Sequence, residues 1–170
     1  MDLKNFIREI PDFPKPGVLF RDITPLLRAP EIFSWVIEQF ARKAKAASVD
    51  IVAGIESRGF LFGAPLALAL KVPFVPIRKP GKLPAECMSI EYCLEYGSGR
   101  LDIHKDALEK GQRVALVDDL LASGGTAQAA VRLIELLGGQ VATILFVVEL
   151  TKLNGAARLA GYDHYSLVSC

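Results

Sequence analysis

Apolar positions along the chain follow two alternating rhythms. Residues 50–55, 114–117 and 141–150 form short aliphatic, β-branched runs with the length of buried strands. Between them, residues 31–47 set Ile32, Trp35, Val36, Phe40 and Ala44 near helical spacing. Residues 60–70 predict an apolar helix, and Val131, Ile134 and Leu137 mark a third helix that stops at Gly138-Gly139. Residues 72–77 predict a strand whose prolines push it toward a sheet edge. Residues 3–10 predict a short helix, and 11–17, with three prolines and a glycine, an irregular crossing segment. Residues 89–96 and 100–105 flank Gly97-Ser98-Gly99 as a hairpin. Strands alternating with helices predict an α/β fold in which a mostly parallel central sheet is covered on both faces. There is no repeat, low-complexity tract or linker, so residues 1–170 read as one domain.

The most informative stretch is residues 114–126, VALVDDLLASGGT. The strand is predicted to stop at two adjacent carboxylates, Asp118 and Asp119, and the helix to start just beyond Ala122, Ser123, Gly124, Gly125 and Thr126. Ligands of open α/β sheets bind at this carboxyl-terminal strand edge. A glycine-rich turn entering a helix presents backbone N–H groups and a positive dipole end to a phosphate. Ser123 and Thr126 add hydroxyl donors, while ionised Asp118 and Asp119, which only accept hydrogen bonds, suit sugar hydroxyls. Phosphate beside vicinal hydroxyls points to a ribose 5-phosphate. Simple turn chemistry is the alternative for the small residues alone. No G-x-G-x-x-G follows a strand, and Gly81-Lys82 precedes Leu83 rather than Ser or Thr, which removes dinucleotide and Walker-type loops.

This strand, acidic pair, small-residue loop and helix resemble the sugar-donor signature of the type I phosphoribosyltransferases. The resemblance implies that family's fold, with a small N-terminal hood over about residues 1–30 and a flexible lid hairpin over about 78–96. Glu56-Ser57-Arg58-Gly59 sits at a second strand-to-helix junction, and Arg58 offers a planar cation for phosphate oxygens. Read alone, Arg58 is an exposed turn arginine paired with Glu56. The resemblance makes the Glu56, Ser57 and Arg58 loop a pyrophosphate cradle, with a cis peptide expected between Glu56 and Ser57. Arg78, Lys79 and Lys82 lie in a basic loop rich in Pro and Gly. It reads either as solvated surface or as a lid that brings cations to a leaving pyrophosphate and excludes water. In similar enzymes a neighbouring subunit supplies Arg78 or Lys79.

Two further segments resemble the adenine phosphoribosyltransferases within that family. In Leu94-Glu95-Tyr96-Gly97, the resemblance makes Glu95 a catalytic residue in purine proton transfer; by itself it is one of several strand carboxylates. Residues 13–24 resemble the hood over the base. Leu19 would read adenine N1 and its amine through the backbone, Phe20 would stack on the ring, and Arg21 would hold the hood shut. Without the resemblance this arm simply packs on the core. Ala85-Glu86-Cys87 departs from the family pattern, and the 162–170 tail is short and variable.

The resemblance therefore implies transfer of 5-phosphoribosyl from its pyrophosphate donor to adenine N9, giving AMP and pyrophosphate. It also implies a Mg2+ cofactor carried by the donor with no direct protein ligands, and a homodimer. A transferase for another nucleobase and a non-catalytic sensor of the sugar donor are the alternatives. Composition narrows the partners. Twenty basic and nineteen acidic residues leave a formal charge of +1, so nothing favours nucleic acid or an anionic membrane. The longest apolar run, residues 64–70, is too short to span a bilayer, and residues 1–5 lack a signal-peptide core. Cys87, Cys93 and Cys170 are odd in number and lack metal-ligand spacing, which predicts a reducing cytoplasm.

Overall fold

A computed structural model describes residues 2–93 and 98–170. A single 3-10 turn, Leu3–Phe6, leads into β1 (Arg8–Ile10), β2 (Phe20–Asp22), α1 (Thr24–Leu27) and α2 (Pro30–Ala46). Then follow β3 (Ile51–Ile55), α3 (Arg58–Leu70), β4 (Phe74–Ile77), β5 (Cys87–Cys93) and β6 (Ser98–His104). The chain ends through β7 (Arg113–Leu121), α4 (Gly125–Leu136), β8 (Gln140–Glu149), two 3-10 segments (Thr151–Leu153 and Gly155–Leu159) and β9 (His164–Ser169).

The main sheet has the order β4-β3-β7-β8-β9 and is parallel throughout. Strands buried on both faces need apolar residues at every position, and Ile51–Ile55 is buried at all five. One core, with Val114, Leu116 and Phe146, is closed by the Val131–Ile134 face of α4. The other, with Ala115, Val117 and Leu145, is closed by Phe40 of α2 and Phe62 and Leu66 of α3. Both faces are therefore covered, and β4 lies at the edge as its prolines predict.

Four local expectations change. β7 does not stop at the acids: Asp118 pairs with Phe146 and Leu121 with Glu149. The neighbouring strand β8 extends that far and keeps the ladder occupied. The variable tail forms β9, and Cys170 N–H donates to Glu149 O at 2.9 Å beside it. Its six strand residues, HYSLVS, lack a clean apolar alternation, and pairing with β8 is what makes them a strand. Residues 8–10, read as helix, pair antiparallel with Phe20–Asp22 as a small separate sheet. Gly99, read as turn, belongs to β6 opposite Tyr92. Among the described residues no helix is long and apolar enough to cross a membrane.

Candidate active site

The two predicted ligand loops meet. Glu56, Ser57 and Arg58, between β3 and α3, face Ala122, Ser123, Gly124, Gly125 and Thr126, between β7 and α4, across a cavity of about 360 Å³. Asp118, Asp119 and Lys79 complete the predicted part of its lining. Parallel order puts β3 beside β7, so their carboxyl ends open on one edge.

The second loop is built from main chain. Gly124 sits at φ +83°, a conformation that favours glycine, and caps the N-terminus of α4. A Cβ there would stand 2.5 Å from Gly155 O, and a Cβ on Gly155 would stand 2.1 Å from Ala122 O. The loop is therefore pressed against the segment after β8, which holds its amides in place. Gln128 N–H donates to Gly124 O at 2.9 Å, leaving the preceding amides of α4 for a ligand.

Charged side chains make the first loop. The Glu56–Ser57 peptide is cis, as the resemblance implied. Arg58 pairs with Asp119 rather than with Glu56: its Nε lies 2.9 Å from Asp119 Oδ2. The contact is charge against charge, without the alignment of a hydrogen bond. Glu56 instead accepts from Arg78 Nε at 3.1 Å and from Lys79 N–H at 3.0 Å. Burial pushes the Glu56 carboxyl up, but those hydrogen bonds and the charges of Arg78 and Lys82 outweigh it and hold it below its ordinary range.

The acidic pair is split by its surroundings. Asp119 is 3% exposed, whereas Asp118 is partly open. Asp119 N–H donates to Asp118 Oδ1 at 2.9 Å. Desolvation raises both carboxyls; the charge of Asp119 raises Asp118 further, while Arg58 opposes the rise at Asp119. Close packing enforces this crowding, since a Cβ on Gly59 would lie 2.6 Å from Val117 O.

The hood residues stand outside the cavity lining. Leu19 is 44% exposed, and the Phe20 ring lies 5.5 Å from the Arg58 guanidinium, which joins hood to pocket. Arg21 pairs with Glu9 across the β1–β2 ribbon. Asp22 accepts from the Thr24 amide and hydroxyl, both at 2.9 Å, and the amide bond leads in lowering its carboxyl below the ordinary range. Arg78 is turned to Glu56, and its other donor reaches Lys82 O at 3.3 Å. Lys79 lines the pocket of its own chain. Glu95 lies outside the described residues.

Two features have no signature in the local sequence pattern. One is the Arg58–Asp119 pair, which no local spacing announces. The other is Tyr92, which lines the cavity from β5. Its position in the predicted hairpin, two residues before Leu94, is the nearest hint.

The phosphoribosyl transferase domain family matches residues 24–164, across both loops. An adenine phosphoribosyltransferase of Caldanaerobacter subterraneus subsp. tengcongensis is 58% identical over 167 residues, 98% of this chain and 96% of the relative. The chain belongs to the adenine phosphoribosyltransferase family. Its type I phosphoribosyltransferase fold is matched in structures of two other members. That of Thermoanaerobacter pseudethanolicus superposes with a TM-score of 0.95 at 56% identity, covering 99% of this chain and 98% of that one. That of Saccharomyces cerevisiae, complexed with D-2,5-dideoxy-2,5-imino-altritol 1,6-bisphosphate and adenine, gives 0.92 at 43% identity, covering 97% and 96%.

Proposed function

We propose that the chain transfers 5-phosphoribosyl from 5-phospho-α-D-ribose 1-diphosphate to adenine through the pocket between the β3–α3 and β7–α4 loops. The bond from C1′ to pyrophosphate breaks, the N9–C1′ bond forms, and adenine gives up its N9 proton. The observation that carries this reading is the convergence of a bare-amide loop, an acidic pair and a pocket-facing arginine on one cavity.

Each residue then has a task. Ala122, Ser123, Gly124, Gly125 and Thr126 hold the 5-phosphate through main-chain amides and two hydroxyls. Asp118, the partly open acid, accepts from the ribose hydroxyls. Asp119 holds Arg58 against the pocket, where the guanidinium stabilises charge on the departing pyrophosphate. Lys79 adds a second cation, and Glu56 orients the Arg78–Lys79 segment through its two hydrogen bonds. Leu19 and Phe20 read and cover the base, Arg21 braces that ribbon, and Glu95 assists the purine proton.

Mg2+ suits this donor set when it travels on the sugar donor. Mg2+ keeps waters and substrate oxygens as ligands, and the carboxylates Asp118 and Asp119 in the pocket lining are hard oxygen groups compatible with such a hydrated ion. Asp118 would face its hydration shell. Bound there, the ion would neutralise pyrophosphate charge.

A second copy of the chain completes the assembly in this reading. Leu61 and Leu68 of α3, two turns apart, are 41% and 81% exposed. Such an apolar helix face suits a homodimer. Light scattering should give twice the chain mass, and Leu68→Glu should return it to one. We place the reaction in the cytoplasm, where Cys87 and Cys170 stay unpaired.

The decisive assay incubates purified chain with donor, Mg2+ and each nucleobase in turn. AMP from adenine alone is the expected result. Another nucleotide would make it a sister transferase, and donor binding without turnover would make it a sensor.

A further inference from the structure

Tyr92 reaches the pocket from β5 and has no task in the mechanism above. It pairs across the hairpin with Gly99. A Cβ on Gly99 would stand 2.6 Å from Tyr92 Cζ and 2.8 Å from its hydroxyl oxygen. The phenol therefore lies over bare backbone, and a side chain at 99 would displace it. From this berth its oxygen meets the Thr126 hydroxyl, which donates to it at 3.2 Å. Tyr92 also packs against the core beneath α4, and it lines the same cavity as Thr126.

We propose that Tyr92 is a positioning residue for the 5-phosphate, acting through Thr126; this rests on the phosphate-loop reading above. A hydroxyl has one proton and two acceptor lone pairs. A phosphate oxygen only accepts, so Thr126 must spend its proton on the phosphate. Its bond to Tyr92 then reverses, and the phenol donates to Thr126 Oγ1. The resulting chain, Tyr92 to Thr126 to phosphate, polarises along its length and sets the threonine rotamer. Gly99 acts one step further back, by leaving room for the ring.

Four variants test this: Tyr92→Phe, Thr126→Val, the double variant and Gly99→Ala. Affinity for ribose 5-phosphate is measured by titration calorimetry, and KM for donor and adenine by initial rates. Tyr92→Phe should weaken ribose 5-phosphate and raise donor KM by roughly fivefold, one net hydrogen bond's worth, with adenine KM unmoved. The double variant should lose no more than Thr126→Val alone, and Gly99→Ala should reproduce Tyr92→Phe. Wild-type affinity in Tyr92→Phe, additive losses in the double variant, or an equal rise in adenine KM would overturn the proposal. If Gly99→Ala does not fold, the Tyr92 and Thr126 cycle decides. Absence of ribose 5-phosphate binding in the unaltered chain would remove the phosphate loop as well, whereas a failure confined to Tyr92→Phe removes only the phenol's role.

Discussion

The loop after β7 and the N-terminal ribbon, the proposed sites for phosphate and base, are built in opposite ways. The loop after β7 stands on the central strand of a five-stranded sheet, and its glycine backbone abuts Gly155. Its donors are main-chain amides whose direction is set by packing. The hood is a two-stranded ribbon apart from that sheet. Its antiparallel ladder is flanked by the charge pairs Arg21 with Glu9 and Arg8 with Asp22 at 3.7 Å, and by a Phe13–Phe20 edge contact at 5.1 Å. Phe13 and Leu19 remain about half exposed, at 50% and 44%. In the proposed reaction phosphate and base both enter and leave at each turnover, so the contrast lies in packing: main chain pressed against Gly155 on one side, a lightly packed ribbon on the other. Arg58 links the hood to the strand that carries the loop, pairing with Asp119 of β7 and facing Phe20.

Breaking the loop should have the largest effect. Gly124→Val forces a branched side chain into φ +83° against Gly155 O, so ribose 5-phosphate binding should vanish in calorimetry while circular dichroism still reports a folded chain. The cause is loss of the loop's own packing, more than obstruction of the ligand. Arg58→Ala comes next, with turnover lowered about a hundredfold in steady-state assays. Full activity in that variant would remove Arg58 from the mechanism. Phe20→Ala sharpens the contrast: adenine KM should rise roughly tenfold, as loss of one stacked base commonly does, while donor KM stays put. Equal changes in both constants would mean that hood and loop are not separable.

Smallest are the pH effects on stability, and they have opposite signs. Burial and the charge of Asp119 raise the Asp118 carboxyl, so folding favours its protonated form. Stability is then lost as pH climbs from the ordinary 3.8 through the raised folded value. Asp118→Asn should raise the melting temperature at neutral pH by about 2–4 °C, the shift that 1 kcal/mol gives at this chain length, and the gain should fade toward acid. Glu56, held below its ordinary range, supplies stability at neutral pH that is lost as pH falls through its folded value. Glu56→Gln should therefore lower the melting temperature at neutral pH and converge with the unaltered chain in acid. Thermal scans from acid to neutral pH read both, and parallel curves would refute the assignment.

Much of this architecture was legible in the chain because the relevant residues are neighbours in it. Ile51–Ile55 and the β7 run Val114, Ala115, Leu116 and Val117 announce buried strands, since strands covered on both faces must be apolar throughout. The glycines of the candidate phosphate loop follow the acidic pair after only four residues, so strand edge, acid and anion cradle could be read together. What the chain alone could not reveal depends on separated segments meeting. β9 is a strand because β8 offers it an edge. Asp119 differs from Asp118 because Arg58 ion-pairs with Asp119 and acts on Asp118 only as a weaker charge. Tyr92 became visible only when the hairpin register set it over Gly99 and beside Thr126. Local pattern determined the elements and the chemistry each carries. Tertiary packing decided which charges pair, which hydroxyls touch and which acid is buried, because those energies depend on distances that sequence order does not contain.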